Sequence, residues 1–127
     1  MNATDIGRFG EAVAAKFLKK HGYKILERNR HQSHNEIDLI ASNKEFLLFV
    51  EVKTRSVREQ TLYLPYGTPA EAVDRKKQLR LLQAARDYLT VTKLKGRQPR
   101  MDVIEVYLDQ RDGHVLKVNH IADAFGA

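Results

Sequence analysis

The chain has 127 residues, 43% hydrophobic and 30% charged, a balance that fits one globular domain over residues 1–127. It has no cysteine, which excludes disulfides and thiolate metal sites, and its longest unbroken apolar run, residues 46–50, is too short to span a membrane. No basic-then-apolar leader opens it, so a cytoplasmic protein is expected, and a net charge of +6 favours a polyanionic partner, nucleic acid first.

Residues 4–21 predict a helix, with Thr4 as cap and Asp5 suited to the N-terminal dipole. Ile6, Phe9, Val13 and Phe17, with Ala14 and Leu18, make one apolar stripe, and Gly22 ends the helix. Glu11 lies at the margin of that stripe, where a glutamate is ordinarily a solvated edge residue. Residues 23–30 predict a strand and residues 28–34 a polar connector. His31 and His34 read as exposed loop histidines, because no cluster with zinc spacing accompanies them.

Residues 35–55 hold two alternating runs around the polar break Ser42-Asn43-Lys44-Glu45, the pattern of a β-hairpin. Glu36, Asp38 and Ile40 share one face of the first run; Phe49, Glu51, Lys53 and Arg55 share one face of the second. A Lys44-Glu45 loop sets Asp38 opposite Glu51, and an Asn43-Lys44 loop sets them diagonal. The Cβ atoms are then about 5 Å or roughly 7 Å apart. Two carboxylates that close repel unless a cation, a proton or water intervenes, and a hard divalent ion suits their oxygens. Lys53 points the same way and can meet charge on a phosphate. An ordinary cross-strand pair between Glu36 and Lys53 is the plainer alternative.

Residues 56–68 form a long connector whose Tyr63 and Tyr66 either stack on bases or close over the core edge. Arg55 and Arg58 open it beside the hairpin, where phosphate contacts are useful. Thr68-Pro69-Ala70-Glu71 predicts the start of a second helix that runs to about Thr92. Val73, Leu79, Leu82, Ala85, Tyr88 and Leu89 form its packing stripe, and Arg75, Lys76, Lys77, Arg80 and Arg86 a one-signed exterior suited to tracking phosphates. Residues 101–108 and 114–119 predict two more strands around the turn residues 109–113, and residues 121–127 a terminal tail.

Asp38 followed by Glu51-Val52-Lys53 on the next strand resembles the active-site pattern of the PD-(D/E)XK nucleases. Taken in order, GRFGEAVAAKFL, NEIDLIA, LLFVEVKTR and RMDVIEV make the chain similar to the YraN family of small bacterial proteins over nearly its whole length. The resemblance implies an α/β fold, a mixed sheet flanked by helices in a restriction-endonuclease-like core. It implies hydrolysis of DNA phosphodiester bonds, branched DNA included, with Mg²⁺ or Mn²⁺ held by Asp38 and Glu51 and by the Val52 carbonyl. Glu11 then completes the acidic cluster from a first helix that roofs the site, Lys53 orients the attacking water, and Glu36 tunes Lys53. Arg55, Arg75, Lys76, Lys77 and Arg80 hold the nucleic-acid backbone; Lys77 matches a lysine of the family. Arg100 is expected to pair with Asp102 or with a helix end, and takes no catalytic role. A glycine of the family is replaced by Asn35, where a turn is expected. Junction-cutting relatives form homodimers. Two further readings stand beside the nuclease: a non-catalytic nucleic-acid-binding module and an interaction protein of a DNA-processing complex.

Overall fold

The polar break becomes a tight turn because Asn43 caps it with its own side chain. Asn43 Oδ1 accepts from the backbone N–H groups of Glu45 (2.9 Å) and Phe46 (2.7 Å), and Asn43 N–H donates to Phe46 O (3.0 Å). The loop is therefore Lys44-Glu45. It joins β2 (Asn35–Ser42) to β3 (Phe46–Val57) with Leu39 opposite Val50 and Ile40 opposite Phe49.

A computed structural model describes residues 2–58, 73–94 and 96–126. Its five strands lie in the order β1 (Lys24–Gln32), β2, β3, β4 (Gln98–Asp109), β5 (Val115–Phe125). The β1–β2, β2–β3 and β4–β5 pairs are antiparallel, and β3–β4 is parallel. A parallel pair needs a crossover, and α2 (Arg75–Thr92) lies within it. The other helix, α1 (Ala3–Lys20), precedes the sheet. The fold is α/β, a mixed sheet with a helix on each face, as the motifs implied.

The central strands are apolar on both faces because both are covered. Ile40, Phe49, Met101 and Val103 pack with Leu81, Leu82, Ala85 and Tyr88 of α2. On the other face, Leu39, Leu48, Val50 and Ile104 pack with Ala14, Ala15 and Leu18 of α1. Among the described residues no helix is long and apolar enough to cross a membrane.

Several boundaries differ from the sequence expectation. Asn2, not Thr4, caps α1, its side chain accepting from Asp5 N at 2.9 Å. The strand β1 continues through the polar residues 28–32, because an edge strand carries charge without burying it. The turn then falls on Ser33 and His34, at φ 54° and 64°, while Asn35 is already in β2. Asp74 caps α2, accepting from Lys77 N at 2.8 Å. The expected start at Thr68-Pro69-Ala70-Glu71 and the two loop tyrosines, Tyr63 and Tyr66, lie outside the described residues. The expected tail is the end of β5: Phe125 is buried and pairs with Met101. A register shift near Asp123, at φ 53°, lets the strand continue past the expected end.

Candidate functional site

Past the Leu39–Val50 pair, Asp38 takes a backbone donor with its side chain: Oδ2 accepts from Val52 N at 2.8 Å. The next residue along β3 from Val50, Glu51, is 6% exposed. Its Oε1 lies 3.0 Å from Lys77 Nζ and 3.6 Å from Lys53 Nζ. Glu11 and Glu36 reach the same place from α1 and β2. Asn29, at φ 50°, bridges them, its Nδ2 donating to Glu11 Oε1 (3.0 Å) and to Glu36 Oε1 (2.7 Å).

The result is a convergence of acids. Glu11, Glu36 and Asp38 each offer a carboxylate oxygen within 4.8 Å of the others. Burial, and then the neighbouring Glu51 carboxylate, push the Asp38 carboxyl up to about 7; Glu11 adds to the rise, while the Val52 N–H and Lys77 oppose it. Clustered oxygen donors whose mutual repulsion a proton already relieves fit a hard divalent cation such as Mg²⁺ or Mn²⁺.

The sequence pointed to Glu11, Asp38 and Glu51 as ligands. The structure gathers Glu11, Glu36 and Asp38, and sets Glu51 beside them with its charge met by two lysines. Glu36 does not pair with Lys53; it faces His31 across the β1–β2 ladder, with His31 Nε2 at 3.7 Å.

The expected roof is also corrected. Helix α1 packs on the Leu39–Val50 face, opposite the face that carries Phe49 and Glu51, and it is Lys77 in the first turn of α2 that reaches over Glu51. Glu11 still arrives because α1 lies very close to β3. A Cβ built on Gly10 would stand 1.8 Å from Thr54 Oγ1, so only glycine permits this approach. Gly10 and Asn29 are the positioning residues that sequence reasoning missed. A glycine inside an amphipathic helix, one residue before a candidate ligand, was a usable signal; Asn29 offered none.

Glu36, Asp38, Lys77 and Arg80, with the Ser33-His34 turn, line an open cleft of about 780 Å³. Ser33 Oγ donates to Asp87 of α2, which ties that turn to the helix. The predicted cations divide accordingly. Arg80 and Lys77 border the cleft, Lys76 is exposed, and Arg75 donates to Gly126 O at 3.4 Å. The Arg55 guanidinium is held by the buried Glu105 carboxylate, which also accepts from Tyr107. Arg100 pairs with Asp102, as expected.

A model of the uncharacterised protein family UPF0102 matches residues 10–106. A UPF0102 protein of Caldanaerobacter subterraneus subsp. tengcongensis is 45% identical, covering 98% of each chain. UPF0102 proteins of Moorella thermoacetica (45% identical) and Clostridium perfringens (44% identical) each cover 94% of this chain and 93% of their own. Among solved structures, Pyrococcus furiosus SfsA in complex with Ca²⁺ is 12% identical with a TM-score of 0.43, covering 91% of this chain and 63% of that one. This chain thus spans less than two thirds of that structure's length.

Proposed function

The chain belongs to the uncharacterised protein family UPF0102, the YraN family that its motifs resemble, and on that premise we propose that it is a metal-dependent endonuclease acting on DNA, branched or structured DNA included. One observation carries this reading: Glu36 and Asp38, whose carboxylates meet that of Glu11, line the same cleft as Lys77 and Arg80. A purely structural acid cluster has no reason to open onto a basic cleft that a phosphate can enter.

Glu11, Glu36 and Asp38 would hold Mg²⁺ or Mn²⁺, with Glu51 at the margin. Bound there, the ion supplies Lewis-acid polarisation of a phosphate oxygen and a more acidic water. The protein's own residues do the rest. Lys53 and Lys77, both within ion-pair reach of Glu51, set positive charge where a phosphate would gain negative charge during hydrolysis. Arg80 in the cleft and Lys76, exposed one turn earlier on α2, hold backbone phosphates. Asp38 gives up its proton before it acts as a ligand, so activity rises with pH through about 7.

The test is incubation with linear, flapped and four-way-junction DNA in Mg²⁺ or Mn²⁺, with Asp38→Asn alongside. Cleavage by the parent, loss of cleavage in the variant and retained binding are expected. Equal turnover in the variant refutes the assignment. A non-catalytic binding module is the second reading, favoured by the two lysines that already meet the charge of Glu51. It predicts binding that falls steeply with salt, ignores chelators and never leads to cleavage.

A further inference from the structure

The apolar stripe of α1 does not all face the sheet. Ala14, Ala15 and Leu18 are fully buried, but Phe9 remains 37% exposed and Val13 and Phe17 only half-buried. Phe9, Val13 and Phe17 recur every four residues, so they form one row along the helix. Val115, at the start of β5 and 38% exposed, extends the row, and Lys16 and Lys20 flank it. Together with Ala12 these residues line a groove of about 490 Å³. The Phe17 ring stacks on His21 (4.1 Å between centroids) and meets the edge of His120 (5.9 Å). Nothing in the proposed chemistry uses this face: Glu11, the helix's contribution to the site, points to Asn29 instead.

We infer that this groove is a docking site for a partner protein's amphipathic segment, apolar on one side and acidic along its margins. The chemistry of the lining selects that occupant. Phenylalanine and valine offer nothing to a phosphate backbone, which separates the groove from the one-signed exterior of α2. A second copy of this chain, presenting the same groove across a two-fold axis, would bring Lys16 and Lys20 against their own equivalents, in a protein already at +6. A flat lipid surface would leave the concavity unfilled. A helix with apolar residues at i, i+4 and i+7 and glutamates beside them would fill the row and pair with both lysines.

The probe is a short fluorescein-labelled peptide of leucine and glutamate with that spacing, titrated with the full chain and followed by anisotropy. Saturable binding with a Kd on the order of 10 μM is expected. The K16E/K20E variant should bind it at least about tenfold more weakly and should gain affinity for the same peptide with lysine in place of glutamate. Phe9→Ser should weaken both peptides while leaving DNA cleavage at the parent's rate, which separates failure here from failure of the nuclease reading. The inference is overturned if the acidic peptide shows no saturable binding, or if the charge-reversed variant binds it as the parent does. It is also overturned if duplex DNA displaces the peptide competitively from this face. Binding of anionic vesicles that the peptide cannot displace would assign the face to a membrane, and Phe9-dependent dimerisation would assign it to a second copy; either result replaces the inference.

Discussion

Two aspartates, the half-buried Asp38 and the fully buried Asp102, meet opposite surroundings in this fold. Asp102 is wholly enclosed, yet Arg100 Nε and Nη2 (both 2.9 Å), His120 Nε2 (2.7 Å) and Asp123 N (3.0 Å) all reach its carboxylate. Burial alone would raise its pKa, but these partners outweigh burial and hold it below the ordinary carboxylate value. Arg100 is in turn seated over the Phe46 and Tyr23 rings. Asp38 has the Val52 N–H, the screening of Lys77, and otherwise more acid around it: burial and Glu51, with Glu11 behind, push it up to about 7. One carboxylate is satisfied by the protein. The other is left short of positive charge, which is the condition under which a cation adds stability instead of competing with existing partners.

That contrast can be broken by isosteric substitution. Asp38→Asn should lower DNA cleavage by at least about 10³-fold, since on the proposed reading it removes a ligand and a charge at the reacting centre. The same variant should melt no lower than the parent without metal, because it relieves repulsion. Asp102→Asn should do the reverse. Leaving the Arg100 guanidinium buried without its counter-charge should cost about 3–5 kcal/mol in denaturant unfolding, while the folded fraction still cleaves. If both substitutions behave alike, the distinction between the two acids is wrong.

A smaller effect is expected at Gly10. Its alanine variant must move α1 off Thr54, at about 1–3 kcal/mol of stability, and should draw Glu11 away from Asp38. Cleavage should fall about tenfold in this variant, with the loss reduced at high Mn²⁺. Unchanged cleavage would place Glu11 outside the ion's ligands.

The smallest effect is the pH dependence of stability. The folded Asp38 carboxyl sits at about 7 and the unfolded one near the ordinary value, about 3.9. Across that window the folded state holds the extra proton, so metal-free stability from this group falls as pH rises. An ion competes with the same proton, so the gain in Tm from added Mn²⁺ should grow between about pH 6 and about pH 8. Asp38→Asn should flatten both trends.

Much of this was legible before the fold was known, and the limits have physical causes. The hairpin was readable because alternation and a polar break fix which residues share a face. The choice between its two registers waited on the Asn43 side chain, which periodicity does not report. Glu11 was placed near the acids, but over the wrong face of the sheet. A helical stripe says which residues are apolar, not which part of the stripe meets the sheet, and the close packing at Gly10 decides that. Glu36 was assigned to tuning Lys53 because strand alternation cannot foresee the Asn29 bridge that turns it toward Glu11. The ends of β1 and β5 were missed for a shared reason: polar residues on an edge strand look like loop until their pairing partners are known.

The central claim is that the Asp38 cluster is short of positive charge and takes up a divalent ion, and isothermal titration calorimetry with Mn²⁺ near neutral pH measures it most directly. Saturable uptake with release of a proton below about pH 7, lost in Asp38→Asn and retained in Asp102→Asn, is the predicted result. No uptake at millimolar Mn²⁺, or uptake that Asp38→Asn leaves unchanged, would contradict it.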